Sequence, residues 1–271
     1  MTFLEDLFDL RDKTAIVAGG AGVIGTVMSK ALLKAGANVV IWSRTQASID
    51  SALERLKAAT KATERMKGMR VDSGNEKDVI AALQASAAAF GPPEILINGV
   101  GGNLGKAPFV ETDLEQFQEV LKLNLIAGLM VPTKVIAAYW IEKKIKGSII
   151  NLTSMTSYNP LSGVWGYDAA KAGVLNLTKG AANEFARYGI RVNAIAPGFF
   201  IGKQNKALLV DEKTGEYTER GKAIIAHTPF GRFGETEELV GATLFLASNK
   251  AAGFVTGISI PVDGGYLAHN I

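Results

Sequence analysis

Short apolar, β-branched runs alternate with longer stretches of helical periodicity along nearly the whole chain, and this alternation restricts the fold more than any other feature. The strand-like runs are Thr14–Ala18, Asn38–Trp42, Gly68–Val71, Glu94–Ile97, Ser148–Leu152, Arg191–Ile195 and Gly257–Pro261. Between them, Val23–Ala35, Ile49–Met66, Glu76–Phe90, Asp113–Ile141, Tyr167–Tyr188 and Thr236–Leu246 carry apolar residues at helical spacing. Strands that are apolar on both faces and separated by amphipathic helices require a parallel sheet covered on both sides. Right-handed crossovers then predict an α/β, doubly wound sheet of about seven strands. No Pro/Ser/Gly-rich linker divides the chain, so residues 1–271 read as one domain. The irregular stretch from Phe199 to Phe233 follows a strand end, where ligands bind in such sheets, and reads as a lid.

Composition removes several kinds of chemistry. The chain has no cysteine, which excludes disulfides, thiolate nucleophiles and Cys-ligated zinc. Its two histidines, His227 and His269, have no metal-ligand spacing, so no metal site is expected. Lys plus Arg is 29 against 26 for Asp plus Glu, too small a surplus to call for nucleic acid. Lys57, Lys61 and Arg65, interleaved with Glu54 and Glu64, read as a solvated helix face. The N-terminus carries Glu5, Asp6, Asp9 and Asp12, the reverse of a secretory signal. The longest uncharged run, Gly147–Tyr167, is too rich in Asn, Ser, Thr, Pro and Gly to span a membrane. A cytoplasmic protein without a membrane partner is the expectation.

The first strand runs into Gly19-Gly20-Ala21-Gly22-Val23-Ile24-Gly25 and then a helix. Glycines there permit a tight turn and let a pyrophosphate approach the backbone at the helix N-terminus, the signature of a Rossmann-type dinucleotide site. An acidic residue at the end of the second strand holds a ribose 2′-hydroxyl, whereas an arginine accepts a 2′-phosphate. Ser43 stands where the acid belongs and Arg44 follows it, which favours NADP(H) and leaves NAD(H) as the alternative.

Tyr167 and Lys171 are one helical turn apart, so both lie on one face of a helix. A phenol titrates near 10, and an ammonium one turn away is expected to favour its phenolate. Ser154, just beyond a strand end, is placed to hydrogen-bond the same substrate oxygen. A pure nucleotide-sensing binder is the alternative from another class, but it has no need of this tyrosine. A hydrolase lacks its Gly-x-Ser-x-Gly elbow.

With these residues together, the chain resembles the short-chain dehydrogenase/reductase family. Ser154, Tyr167 and Lys171 fit the family's catalytic residues, and Asn124 fits the asparagine that completes its tetrad. Asn98-Gly99 resembles the family's Asn-Asn-Ala-Gly stretch, Asp72 its adenine-contacting acid, and Pro197-Gly198 the turn beside the nicotinamide. Ala18 and Val23 stand where the family usually has Thr and Gly, so either Gly20 or Gly22 makes the close phosphate approach. The resemblance implies reversible hydride transfer, with Tyr167 as acid/base, Lys171 lowering its pKa, Ser154 polarising the reacting oxygen and Asn124 holding a relay water. It also implies a homotetramer built on the long helices and the C-terminal strands.

Further segments, among them Gln204–Leu209 and His227–Gly234, resemble the D-mannonate oxidoreductase (fructuronate reductase) branch of that family. That resemblance implies a sugar acid or polyol substrate, with gluconate-type and other carbonyl reductases, including those acting on acyl-carrier thioesters, as alternatives. Asn103, Gln204 and Asn205 are candidates to bond hydroxyls. Arg232 is the preferred partner for a carboxylate, ahead of Lys203 and Lys206, while Trp165 and Phe199 are candidate walls.

Overall fold

The computed structural model of the chain describes residues 2–202, 206–211 and 214–270. Strands β1 (Thr14–Ala18), β2 (Asn38–Ser43), β3 (Met66–Arg70), β4 (Pro93–Asn98), β5 (Ser148–Leu152), β6 (Arg191–Pro197) and β7 (Ser259–Val262) form one sheet in the order β3-β2-β1-β4-β5-β6-β7. Every pairing is parallel. The order reverses between β1 and β4, which opens a crevice at their carboxyl ends.

The continuous apolar runs follow from covering both faces. In β1, Ala15 and Val17 join the core beneath α2 (Val23–Lys34), α3 (Gln46–Thr60) and the later α10. Ile16 and Ala18 point the other way, into the core shared by α4 (Glu76–Phe90), α6 (Val131–Lys143) and α7 (Trp165–Phe185). The remaining helices are α1 (Phe3–Leu7), α5 (Leu114–Leu121), α8 (Lys206–Leu209), α9 (Glu219–Ala226), α10 (Val240–Ala247) and α11 (Asn249–Ala252).

Two helix expectations need correction. The helix expected over Ile49–Met66 ends at Thr60, where Lys61 adopts a left-handed conformation (φ 56°) and Met66 already pairs in β3. Arg65 is therefore no solvated helix residue: its guanidinium donates to the carbonyls of Leu33 and Ala37, both at 2.9 Å. The long helix expected over Asp113–Ile141 is continuous from Leu114 to Lys143, but its middle, Lys122–Met130, is π-helical. Val131 N–H donates to the Ile126 carbonyl, five residues back, and Pro132 has no N–H with which to restore α pairing. By length and composition this helix passes for a membrane span, yet more than half of its most apolar stretch is buried inside the fold.

Candidate active site

A cleft of about 620 Å³ runs from the glycine loop after β1 to the start of α7. Gly19 (φ 76°) donates its N–H to the Trp42 carbonyl at 2.9 Å, and a Cβ on it would lie 2.6 Å from the Gly99 oxygen. A Cβ on Gly25 would overlap the Gly19 oxygen, and one on Gly20 would lie 2.7 Å from the Ile41 side chain. Gly20 is thus buried against β2 and faces away from the cleft. Gly22 is exposed on the cleft, where a Cβ would meet only the Gly19 oxygen at 3.3 Å. Of the two glycines left open by the sequence, Gly22 presents bare backbone to a ligand and Gly20 serves packing. Val23, Ile24, Gly99, Pro197 and Gly198 also line the cleft. Gly198 is required by close approach, since its Cβ would lie 2.6 Å from Asp263 Cα. Bare backbone at a helix start, along a cleft of this size, fits a dinucleotide pyrophosphate.

At the other end, α7 carries Tyr167 and Lys171 into the cleft, and the turn after β5 brings in Ser154. The Ser154 hydroxyl accepts from Thr156 N–H at 3.2 Å and lies beside the Tyr167 phenol, where it favours the ionised form. Lys171 Nζ lies 5.6 Å from the Tyr167 ring centre and donates to the Leu152 carbonyl at 2.7 Å. Burial pushes the Tyr167 phenol up, outweighing the effect of Ser154, so the expected lowering is not what this enclosure produces. Burial also brings the Lys171 ammonium down to about 8. At neutral pH the phenol is therefore protonated, the form that donates to a carbonyl oxygen.

Several candidates lie elsewhere. Asn124 is fully buried in the π-helical segment, where its Nδ2 donates to Gly102 O (2.7 Å) and Val120 O (2.9 Å) and its Oδ1 accepts from Gly102 N–H (3.0 Å). Its side chain pins the loop after β4 to the helix. Asn98 Nδ2 donates to Thr133 Oγ1 and Asn151 Oδ1, both at 2.9 Å, tying β4 to β5 and α6 within the core. Asp72 is exposed beyond β3 and accepts from Gly74 N–H at 2.9 Å. Ser43 shares a 3.0 Å hydrogen bond with Ser48, and Arg44 is exposed with no polar partner among the described residues.

On the substrate side Phe199 joins Ser154 in the cleft wall, with its ring centre 5.4 Å from that of Tyr266. Trp165 Nε1 donates to Ala107 O at 3.0 Å and its ring meets Phe109, so it pins the loop before α5 instead. Asn103 is exposed and donates to Gly105 O within that same loop. Arg232 holds Glu238 through two bonds of 2.9 and 2.7 Å in a separate hollow behind Phe199 and Phe200. Its guanidinium braces the turn from Phe233 to Glu238 and lines that hollow, not the cleft. Lys203, Gln204 and Asn205 lie outside the described residues.

Sequence reasoning missed Ser48, Ser51 and Arg55 of α3, which line the glycine-loop end of the cleft. Their i, i+3, i+7 spacing was the available signal. It also missed Asp168, buried beside Tyr167, neither of whose carboxylate oxygens has a hydrogen bond of normal geometry. Burial pushes this carboxyl up to about 6, opposed only by the Leu161 backbone N–H. The chain's two histidines, far apart in sequence, meet with ring centres 4.3 Å apart and their planes tilted by 52°. Among the described residues no three His, Cys, Asp or Glu side chains gather as a metal site would need.

A short-chain dehydrogenase/reductase family model, described as enoyl-(acyl carrier protein) reductase, matches residues 19–267. This chain is a short-chain dehydrogenase/reductase. A 2-dehydro-3-deoxy-D-gluconate 5-dehydrogenase of Formosa agariphila is 37% identical over 265 residues, covering 97% of this chain and 96% of the relative. The crystal structure of a candidate D-mannonate oxidoreductase from Haemophilus influenzae, with bound NAD, superposes with a TM-score of 0.89 at 32% identity, covering 98% of this chain and 99% of that one. A gluconate 5-dehydrogenase from Burkholderia cenocepacia, in complex with NADP and tartrate, superposes at 0.87 with 30% identity, covering 98% and 100%. As a short-chain dehydrogenase/reductase the chain is an oxidoreductase, with the seven-stranded parallel sheet of that fold.

Proposed function

We propose that this enzyme transfers hydride between NADP(H) and a hydroxyl or carbonyl carbon of a sugar acid, with the D-mannonate/D-fructuronate pair as the first candidate. The observation that carries the reading is one continuous cleft with bare glycine-loop backbone at one end and Ser154, Tyr167 and Lys171 at the other. When bound, the nicotinamide supplies or accepts the hydride. Tyr167 gives the proton to the carbonyl oxygen in reduction and takes it back in oxidation. Ser154 orients that oxygen, and the Lys171 ammonium favours the phenolate that remains. Asn124 acts through the loop it pins, as a positioning residue. Sugar-acid names among the relatives support the substrate class, and their NAD and NADP complexes leave both cofactors in play. NADP(H) is preferred because Ser43 replaces a carboxylate and Arg44 is unpaired. With Arg232 engaged, Lys203 and Lys206 are the cations proposed for the substrate carboxylate. A homotetramer is proposed from the exposed apolar residues Leu114, Ile126 and Met130 along the long helix, and light scattering tests it.

The deciding experiment follows nicotinamide absorbance with D-mannonate, D-gluconate and D-mannitol, each with NAD⁺ and NADP⁺. Turnover of mannonate with NADP⁺, reduced about 10³-fold or more in Tyr167→Phe, supports the assignment. Turnover of gluconate or mannitol alone keeps the mechanism and removes the mannonate claim. Oxidation should accelerate with rising pH, because burial holds the Tyr167 phenol protonated at neutrality.

A further inference from the structure

The glycine-loop end of the cleft has a second wall that the sequence motifs do not assign. Ser48, Ser51 and Arg55 of α3 occupy one face of that helix and line the cleft opposite the loop. The Arg55 guanidinium reaches across to the loop itself, with Nη2 3.3 Å from the Ala21 carbonyl and Nε 3.2 Å from Ser51 O. It comes to rest next to Gly22, whose missing side chain leaves the loop open there. Arg55 is exposed, pairs with no carboxylate, and its Nη1 makes no hydrogen bond among the described residues. Of the two acids on α3, Asp50 accepts from Gln46 at 2.8 Å, and neither it nor Glu54 lines the cleft. No carboxylate lines the cleft among the described residues. Ser48 meanwhile carries the hydroxyl cluster on toward the end of β2, through bonds of 3.0 Å with Ser43 and 2.8 Å with Thr45.

A guanidinium has five donors in a planar fork, and this one, held by three long bonds of 3.2–3.5 Å to Ser51 O, Ala21 O and Thr26 Oγ1, keeps both Nη1 donors for an oxyanion. We propose that Arg55, seated on the Ser48–Ser51 face of α3, is a specificity-determining residue that binds the ribose 2′-phosphate of NADP(H), facing Arg44 at the end of β2. This rests on the NADP(H) reading above and adds to it a residue outside the strand-end position by which cofactor choice was read from the sequence. Discrimination then comes from α3 as much as from Ser43 and Arg44. Because Arg55 also touches the loop, the alternative is that it only braces Ala21 and the pyrophosphate site.

The two are separated by calorimetric titration of the purified full chain with adenosine 2′,5′-bisphosphate and with 5′-AMP, which differ only in the 2′-phosphate. The wild-type protein is expected to bind the bisphosphate at least about tenfold tighter. Arg55→Met should lose about tenfold or more of that affinity while binding of 5′-AMP changes less than about twofold. Ser51→Glu, which leaves Arg55 in place and sets a carboxylate on the same face, should weaken the bisphosphate selectively as well. Equal loss for both ligands in Arg55→Met means a loop brace and overturns the proposal, as does no loss for either. A wild-type preference for the bisphosphate that survives Arg55→Met overturns the proposal and leaves the NADP(H) reading standing. A wild-type protein with no preference removes both.

Discussion

The chain builds the two ends of its cleft in opposite ways. After β1 it discards side chains: Gly19, Gly20, Gly22 and Gly25 bring backbone against backbone, and Gly19, Gly20 and Gly22 donate their N–H groups to carbonyls of the fold. After β5 it keeps polar side chains and encloses them. Tyr167 and Lys171 both have pKa values moved by burial, and Asp168, next to Tyr167 on α7, is buried with no hydrogen bond of normal geometry. The first end is limited by sterics, so its residues are replaceable only where space remains. The second is limited by electrostatics, holding groups whose charged forms are disfavoured, a usual trade of stability for reactivity. Perturbing one residue at each end should give changes of different kinds.

The largest effect is expected at the steric end. In Gly25→Ala the new methyl overlaps the Gly19 oxygen, a backbone atom that cannot swing aside as a flexible side chain does. A cost of about 3 kcal/mol follows, or roughly 6–12 °C in Tm. Gly22→Ala, whose methyl would sit 3.3 Å from that same oxygen, should stay within about 1 kcal/mol and weaken nucleotide binding instead. Thermal melts with and without NADPH check the pair, and similar Tm losses would dissolve the distinction between packing and ligand-facing glycines.

The electrostatic end should respond to pH. The Asp168 carboxyl moves from 3.8 to about 6, so the folded state holds its proton more tightly than the unfolded chain. Stability contributed by that proton is complete below about 4 and lost as pH rises through 6, leaving a cost of up to about 3 kcal/mol at neutrality. Asp168→Asn removes the ionisation. Its Tm relative to wild type should therefore be higher at pH 7.5 than at pH 4.5, and a difference independent of pH would show that Asp168 is not held away from ionisation.

The same contrast explains what could be read from the sequence. The sheet was legible because strand and helix periods are local, and Tyr167 with Lys171 because one helical turn places them together. Partners distant in sequence were not legible. Asn98 and Asn124 stand out by motif, but their ties to β5, α6 and the loop after β4 appear only in the fold. Arg65 looked solvated because its two carbonyl partners lie 32 and 28 residues away. Arg55 went unremarked because its approach to Ala21 depends on how α3 packs beside α2, 34 residues apart. The π-helical turn at Asn124 has no periodic signal, since apolar spacing barely changes when one turn widens.

The smallest effect, and the sharpest discriminator between reading and structure, concerns Arg232. It belongs to neither end of the cleft: its bidentate hold on Glu238 and its bond to Phe233 O at 3.0 Å place it at the base of the lid segment. Glu238 also accepts from Glu235 N–H at 2.8 Å, so the carboxylate remains fixed when the arginine is removed. Both partners are nearly half exposed, 46% and 39%, so solvent screens the pair and it adds little to stability. Arg232→Leu should therefore shift Tm by no more than about 2 °C. If the arginine only braces the lid, KM for the sugar acid should rise less than about threefold with kcat unchanged. A guanidinium that instead swings to the substrate carboxylate makes charge-assisted bonds to it, and its loss would cost about 100-fold in kcat/KM with an uncharged polyol unaffected. The ratio of acid to polyol turnover in this one variant therefore decides whether the lid carries its carboxylate contact at Arg232 or at another of its cations.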